Sequence, residues 1–471
     1  MKTYCNPLPI PHYPRGRWSR PEGKDAKRWG WINDRAVDFR EMADPTVIRF
    51  EGRWYLFPSP GQAWVSDDLV NWTFTPIEPL DPGYAPTVIQ KGGWLYMTAC
   101  GNQMWRARHP LGPWECLGEI RDENGKPAHW DDPMLFVDHD GAMYCYNGLG
   151  KDGIYVVRLC DDDPSRWAAP RIHCFAFDPE HRWERMGESN TRTDQSYVEG
   201  AWMLARGGKY YLLYSAPATE QKNYALGCYT SDTPVGPWTY QKRNPILRSN
   251  GGLINGTGHG CIVEGPGETL WAVYTTLVRI DHVYERRIGM DPAGFDDEGN
   301  FFIAGPTETP QLAPGRSAHP ERENDTGWVA VSLDTMPRAS SQKEGHEAQY
   351  ANDNIIRTWW EPTGDPPHWL RYDLLFPYTI RACRTLFADR GLDYEGGIVP
   401  APYRYHIEGS LDGDTWFPLI DRSENTMERH IAYDVCDAPQ PARHVRLAVL
   451  EVPPGMRLGV WEFTVFADRP A

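Results

Sequence analysis

The chain has 471 residues, 41% hydrophobic and 24% charged, a globular composition that excludes a disordered chain. At about 150 residues per domain there is room for three domains, or two if one is a large β-architecture. The 48 Lys and Arg against 64 Asp and Glu leave a net charge of −16, which argues against nucleic acid or an anionic membrane as the main partner.

The first residues, MKTYCNPLPIPHYPRGRW, hold neither an apolar run nor a small-residue cleavage site. Their pattern predicts a cytoplasmic protein, or a secreted one if the natural chain has been trimmed. No stretch of the chain approaches the 18 apolar residues of a membrane span. The ten cysteines are scattered singly, without metal-ligand spacing, and read as free thiols. Next comes an arm, His12 to Met42, that carries Arg15, Arg17, Arg20, Lys24, Lys27 and Arg28 among Trp18, Trp29 and Trp31. It reads as a surface cover, or as one wall of a pocket.

From Asp44 a unit repeats five times: a short apolar run, a Gly-containing turn and an aromatic-rich run. The apolar runs are Ala43-Asp44-Pro45-Thr46-Val47-Ile48, Ala85-Pro86-Thr87-Val88-Ile89, Asp132-Pro133-Met134-Leu135-Phe136, Glu199-Gly200-Ala201-Trp202-Met203 and His259-Gly260-Cys261-Ile262-Val263. Each is followed by a run such as Arg53-Trp54-Tyr55-Leu56-Phe57, so each unit has the signature of a β-hairpin. The units start 41, 47, 67 and 60 residues apart. A four-stranded propeller blade needs about 40–50 residues, so the sequence predicts a five-bladed β-propeller with insertions in the longer intervals. One insertion spans Trp183 to Ser196.

The first strand of each blade lines the central channel, so its first residues meet at one mouth. Here those positions hold Asp44, Ala85, Asp132, Glu199 and His259. Three carboxylates in one cleft repel one another and raise one another's pKa, a cost that points to a site. Two carboxyls astride a scissile bond are the equipment for glycoside hydrolysis, one donating a proton and one activating water; a third can tune the donor. Clustered oxygens would also suit Ca²⁺ or Mg²⁺. Trp64 reads equally as a sugar platform or as core, and Trp130 and Trp202 lean toward core. Asp131 should point away from the channel by strand alternation. Asp138-His139-Asp140-Gly141 and Asp296-Asp297-Glu298-Gly299 read as hairpin turns.

The set Ala43-Asp44-Pro45, Ser66-Asp67-Asp68-Leu69-Val70-Asn71-Trp72, Asp132-Pro133-Met134-Leu135-Phe136, Val198-Glu199-Gly200-Ala201-Trp202 and Gly258-His259-Gly260 resembles the motifs of glycoside hydrolase family 43 over about residues 4–312. That resemblance implies a five-bladed propeller and usually inversion. It implies Asp44 as general base, Asp132 as pKa modulator and Glu199 as general acid. It implies substrate contact by Arg287, within Arg286-Arg287-Ile288-Gly289-Met290, and an axial His259 that holds water or, through water, a metal. Trp64 and Trp202 complete the expected substrate-binding set.

Gly305 to Pro337 is rich in Pro, Gly and charge and reads as a linker, placed at 313–338 between a catalytic domain, 1–312, and a third segment, 339–471. That third segment holds strand-like runs at Trp369-Leu370-Arg371-Tyr372-Asp373-Leu374, Tyr403 to Ser410, Val445 to Val449 and Val460 to Phe466, fitting a β-sandwich. With Thr358-Trp359-Trp360 and Ser410-Leu411-Asp412-Gly413-Asp414-Thr415-Trp416 it resembles a discoidin-like (F5/8 C-type) jelly-roll module, a fold that often binds carbohydrate. It serves here either as a carbohydrate-binding module or as a buttress for the propeller.

The expected protein is thus all-β: a propeller followed by a β-sandwich. Its expected activity is exo-acting, inverting removal of a terminal pentose, β-D-xylose or α-L-arabinofuranose, from plant cell-wall oligosaccharides. Rivals are a β-D-galactofuranosidase or exo-galactanase on the same fold, and a glycan-binding propeller without catalysis. No cofactor is expected, with a structural Ca²⁺ allowed by the resemblance. The expected partner is an oligosaccharide; the sequence does not specify an oligomeric state.

Overall fold

The computed structural model describes residues 2–16, 37–59, 61–77, 80, 82–249, 251–278, 281–333 and 335–469. Arg17, Trp18, Arg20, Lys24, Lys27, Arg28, Trp29 and Trp31 of the N-terminal arm lie outside them. Among the described residues no helix is long and apolar enough to cross a membrane.

Five four-stranded antiparallel sheets form the blades of a propeller. Blade 1 starts with Ala43–Phe50, blade 2 with Thr87–Lys91, blade 3 with Met134–Val137, blade 4 with Glu199–Arg206 and blade 5 with Asn255–Glu264. Each inner strand pairs with the aromatic-rich run after it. In blade 1, Val47 faces Leu56 and Phe50 faces Arg53 across the turn at Glu51-Gly52. The turn before the fourth strand of blade 1 is held by one carboxylate: Asp68 Oδ1 accepts the N–H groups of Val70 (3.0 Å) and Asn71 (2.7 Å). That turn chemistry is why Ser-Asp-Asp-Leu-Val-Asn-Trp breaks the strand there.

Blades 1 and 5 are each built from contiguous chain, so among the described residues no strand laces the ring shut. The N-terminal segment helps to close it instead. Leu8 N–H donates to the Ile288 carbonyl (2.8 Å), and the Asn6 amide exchanges hydrogen bonds with Met290 backbone at 3.0 and 2.9 Å. Thr3–Tyr4 then pairs with Gln311–Leu312.

The C-terminal domain is a β-sandwich organised around the 20-residue strand His368–Phe387. The first half of that strand pairs with Pro441–Glu451 and the second with Val460–Asp468. The stretch read as a linker is folded: Trp328–Ala330 pairs with the last strand, Trp328 opposite Asp468. A single apolar cluster runs from the propeller (Tyr13, Met42, Ile288) into the sandwich (Leu386, Ile431, Trp461). The two domains therefore share a core.

Candidate active site

The inner strands open with a repeated backbone device. Asp44, Ala85, Asp132 and His259 all have left-handed φ, between 37° and 48°. The backbone N–H of each is caught by a side chain from the preceding blade: Thr275 for Asp44 (2.9 Å), Ser59 for Ala85 (2.6 Å), Cys100 Sγ for Asp132 (3.2 Å) and Ser215 for His259 (2.7 Å). Left-handed backbone at a non-glycine residue costs on the order of 1–3 kcal/mol and persists where neighbours hold it. In blade 4 the left-handed residue is Gly200 (φ 61°), not Glu199. Glu199 thus enters the mouth one residue ahead of the register of the others. The exchange has a steric reason: a Cβ on Gly200 would lie 2.9 Å from Cγ of the His259 ring.

His259 is the hub. Its Nδ1 lies 3.3 Å from Asp44 Oδ1 and 3.4 Å from Asp132 Oδ2. Burial opposes charge on this imidazole, but Asp44 and then Asp132 outweigh it and raise its pKa to about 9. Burial likewise opposes ionisation of Asp132. The His259 charge and hydrogen bond, helped by the Cys100 thiol 3.3 Å away, outweigh it and hold Asp132 below the usual carboxylate range. Glu199 goes the other way. Burial, reinforced by the Asp132 charge, pushes it well above the usual range, against the pull of a Tyr224 hydroxyl that donates to Oε1 at 2.7 Å. Two carboxyls of one mouth are thereby driven apart, Glu199 toward the acid form and Asp132 toward the anion, while Asp44 lies in contact with His259 and Arg286.

The second cation at Asp44 is Arg286, whose Nη1 lies 3.3 Å from Asp44 Oδ1 and 3.0 Å from Thr219 Oγ1. Its Nη2 is bound by Glu41, which also accepts the Tyr84 hydroxyl. Tyr284 and Tyr84 present their rings to the Arg286 guanidinium at 5.3 and 6.0 Å.

Three expected substrate contacts lie elsewhere. Arg287 turns away from the mouth; its Nε donates to His430 Nε2 of the sandwich at 2.7 Å. Arg286 occupies the pocket instead, because adjacent residues of the strand Arg286–Phe295 face opposite sides. Trp64 is fully buried and donates its Nε1–H to the Pro11 carbonyl (2.7 Å), so it is core. Trp202 lines a cavity of about 860 Å³ together with Val47, Val88, Met134 and Ile262. Those are residues further along the inner strands, so Trp202 sits toward the channel end opposite Asp44. Trp130 is buried and stacks on Trp167. Asp131 pairs with His129 at the surface, and both Asp-rich segments close as turns, Gly141 N–H to the Asp138 carbonyl and Gly299 N–H to the Asp296 carbonyl.

Sequence reasoning missed Glu41, Tyr84, Tyr224 and Arg286. The Arg-Arg pair signalled that one arginine faces inward. Its parity was unreadable, because both faces of that strand are buried.

A sequence model described as glycosyl hydrolases family 43 matches residues 37–301, more than half of the chain. The chain belongs to that family. An F5/8 type C domain model matches residues 338–462. This family 43 protein is 25% identical over 298 residues to an Aspergillus niger protein named beta-D-galactofuranosidase, covering 55% of this chain and 81% of that one. It is 24% identical over 302 residues to a Xylanibacter ruminicola protein named putative beta-xylosidase, covering 57% of this chain and 52% of that one. Among solved structures, a thermostable family-43 glycoside hydrolase superposes with a TM-score of 0.51 at 23% identity, over 67% of this chain and all of that one. The fold is therefore the family's, and the protein is a glycosidase.

Family 43 chemistry needs no organic cofactor. Among the described residues no group of three His, Cys, Asp or Glu side chains is arranged to hold a metal ion.

Proposed function

We propose that the protein is an exo-acting, inverting glycosidase that releases terminal β-D-xylose or α-L-arabinofuranose from plant cell-wall oligosaccharides. The observation that carries the mechanism is a buried Glu199, held toward its acid form, at the same mouth as an Asp44 in contact with His259 and Arg286. Glu199, buried and held toward its acid form, gives its proton to the glycosidic oxygen as the bond to the anomeric carbon breaks. Asp44, paired with His259 and Arg286, accepts a proton from the water that attacks the opposite face. Asp132 lies beside both partners: its charge raises Glu199 and it shares His259 with Asp44. The proton lost by Glu199 and the one gained by Asp44 exchange with solvent after product leaves.

A second reading keeps the machinery and changes the sugar. The Aspergillus niger relative named a beta-D-galactofuranosidase supports a terminal galactofuranose. Both readings are separated by one experiment: release of p-nitrophenol from the β-D-xyloside, α-L-arabinofuranoside and β-D-galactofuranoside. We expect turnover of a pentoside, lost by at least 10³-fold in Glu199→Gln and in Asp44→Asn. The first-formed anomer, followed by NMR, should be inverted. Turnover of the galactofuranoside alone would replace the pentose reading. No turnover of any glycoside, with glycan binding intact, would favour a binding propeller.

A further inference from the structure

Two stretches lie between the candidate active site and the sandwich: Arg40-Glu41-Met42 and Arg286-Arg287-Ile288. Met42 N–H donates to the Arg286 carbonyl (3.2 Å), and Arg287 Nη1 reaches the Arg40 carbonyl (3.1 Å). Each stretch is read on alternate faces. Glu41 and Arg286 face the mouth and bind each other, and Arg286 reaches Asp44. Their neighbours Arg40 and Arg287 face the sandwich. Arg40, 1% exposed, sits between two sandwich carboxylates, 2.6 Å from Asp389 Oδ2 and 2.5 Å from Glu428 Oε1. Arg287 donates to His430 Nε2. Burial and the facing charges of Arg40 and Arg287 push His430 well below its usual pKa, so its ring is neutral and has a lone pair for that bond.

The carboxylates are themselves fixed from behind. The Tyr403 hydroxyl donates to Asp389 (2.8 Å), and the His12 backbone N–H donates to Glu428 (2.6 Å). A docking surface does not require such groups: well-packed apolar residues commonly do as well as a buried ion cluster or better. Apolar packing is already present around them, in the core shared by both domains. What the ion cluster adds is direction. It fixes Arg40 and Arg287 in one geometry, and through one residue of backbone it fixes Glu41 and Arg286.

We propose that Asp389, Glu428 and His430 of the C-terminal domain are positioning residues, which act through Arg40 and Arg287 to hold Glu41 and Arg286 against Asp44. This inference rests on the reading of Asp44 as the base. The sandwich is then part of the catalytic apparatus, whatever its own affinity for glycan. A displacement of about 1 Å at reacting atoms costs on the order of 100-fold in rate, so a modest loosening of this clamp should be visible in kcat.

The test is a kinetic cycle on the full chain, with the glycoside that the wild type turns over. Glu428→Gln keeps the side-chain shape and removes one charge from Arg40. We expect kcat to fall about ten-fold with KM within two-fold. In an Arg286→Lys background the same change should cost less than two-fold more, because the path to Asp44 is already broken. An equal ten-fold loss in both backgrounds, or unchanged kcat in folded Glu428→Gln, overturns the proposal. Should Glu428→Gln fail to fold, Asp389→Asn is read through the same cycle with the same criteria. A wild type inactive on every glycoside removes the proposed function and this inference together. Additive losses in an active wild type remove the inference alone.

Discussion

At the scale of single residues, the site works by separating like groups. Asp132 and Glu199 are both carboxyls at the same mouth, both buried, yet their affinities for protons move in opposite directions. The difference lies in what each touches. Asp132 lies 3.4 Å from the His259 ring and hydrogen-bonds to it, whereas for Glu199 burial and the Asp132 charge outweigh both the charge of His259 and a phenolic hydrogen bond. That hydroxyl stabilises the Glu199 anion, so removing it raises the Glu199 pKa further. Activity requires Glu199 protonated and is lost as pH rises through that pKa. Tyr224→Phe should therefore move the alkaline limb of the kcat profile to higher pH by about 0.5–1 unit. A limb that stays put or moves down would show that Tyr224 does not touch the acid. Gly200 illustrates the same economy in space: without a Cβ it admits the His259 ring.

At the scale of elements, the inner strands are alike in their first residues and the insertions are not. The insertion before blade 4 is pinned by one buried carboxylate, Glu184. It accepts hydrogen bonds from the Tyr214 hydroxyl (2.5 Å), His181 Nδ1 (2.8 Å) and the Asp178 N–H (3.1 Å). Trp183 beside it donates to the Tyr240 hydroxyl at 2.8 Å. Charge-assisted bonds of this kind are worth about 1.5–3 kcal/mol each before coupling. Glu184→Gln should therefore lower stability by about 3 kcal/mol in urea unfolding, with an unchanged m-value. A loss under 1 kcal/mol would mean that apolar packing alone fixes the insertion. The hairpins themselves were legible in the sequence, because a strand's alternation and a Gly-bearing turn are local properties. The insertion was visible only as extra length, since its partners lie on blade 4 strands 30 and 57 residues away.

At the scale of the whole molecule, two domains share one apolar cluster and one buried ion cluster. They should unfold together, as a single calorimetric transition; two separated transitions would contradict the shared core. The pH dependence of that transition follows from the buried acids. Burial raises Asp291 to about 7, Glu285 to about 7 and Glu462 to about 8, and the facing carboxylates raise His259 to about 9. Each of these folded-state values lies above the unfolded one, so each group contributes stability that is complete below its unfolded pKa. That contribution is lost progressively between the unfolded value, about 4 for the carboxyls and about 6.5 for His259, and the folded value of about 7 to 9, and is gone above it. Asp132 and Asp373, the latter lowered to about 2 by Arg443, act oppositely: their contribution is lost as pH falls through their depressed values. Thermal stability should peak at mildly acidic pH and fall steadily from pH 6 to 9. A flat midpoint across that range would contradict the burial of these groups.

The sequence by itself determined the fold class, the number of blades and which chemistry-bearing residues open the inner strands. It could do so because a propeller repeats a local pattern, so the register of Asp44, Asp132 and His259 is written in the period of the hairpins. The shared left-handed φ and the shared N–H contact to the preceding blade are the structural form of that period. Only the tertiary structure decided that Glu199 runs one residue ahead of the others, that Arg286 rather than Arg287 faces the mouth, and that Trp64 and Trp202 lie away from it. It alone decided that the sandwich reaches within one residue of the pair holding Asp44. The physical reason is the same in each case. Where both faces of a strand are buried, composition no longer marks which side is which, and the deciding partner comes from far along the chain. Glu41 meets Arg286 across 245 residues, and Arg40 meets Glu428 across 388.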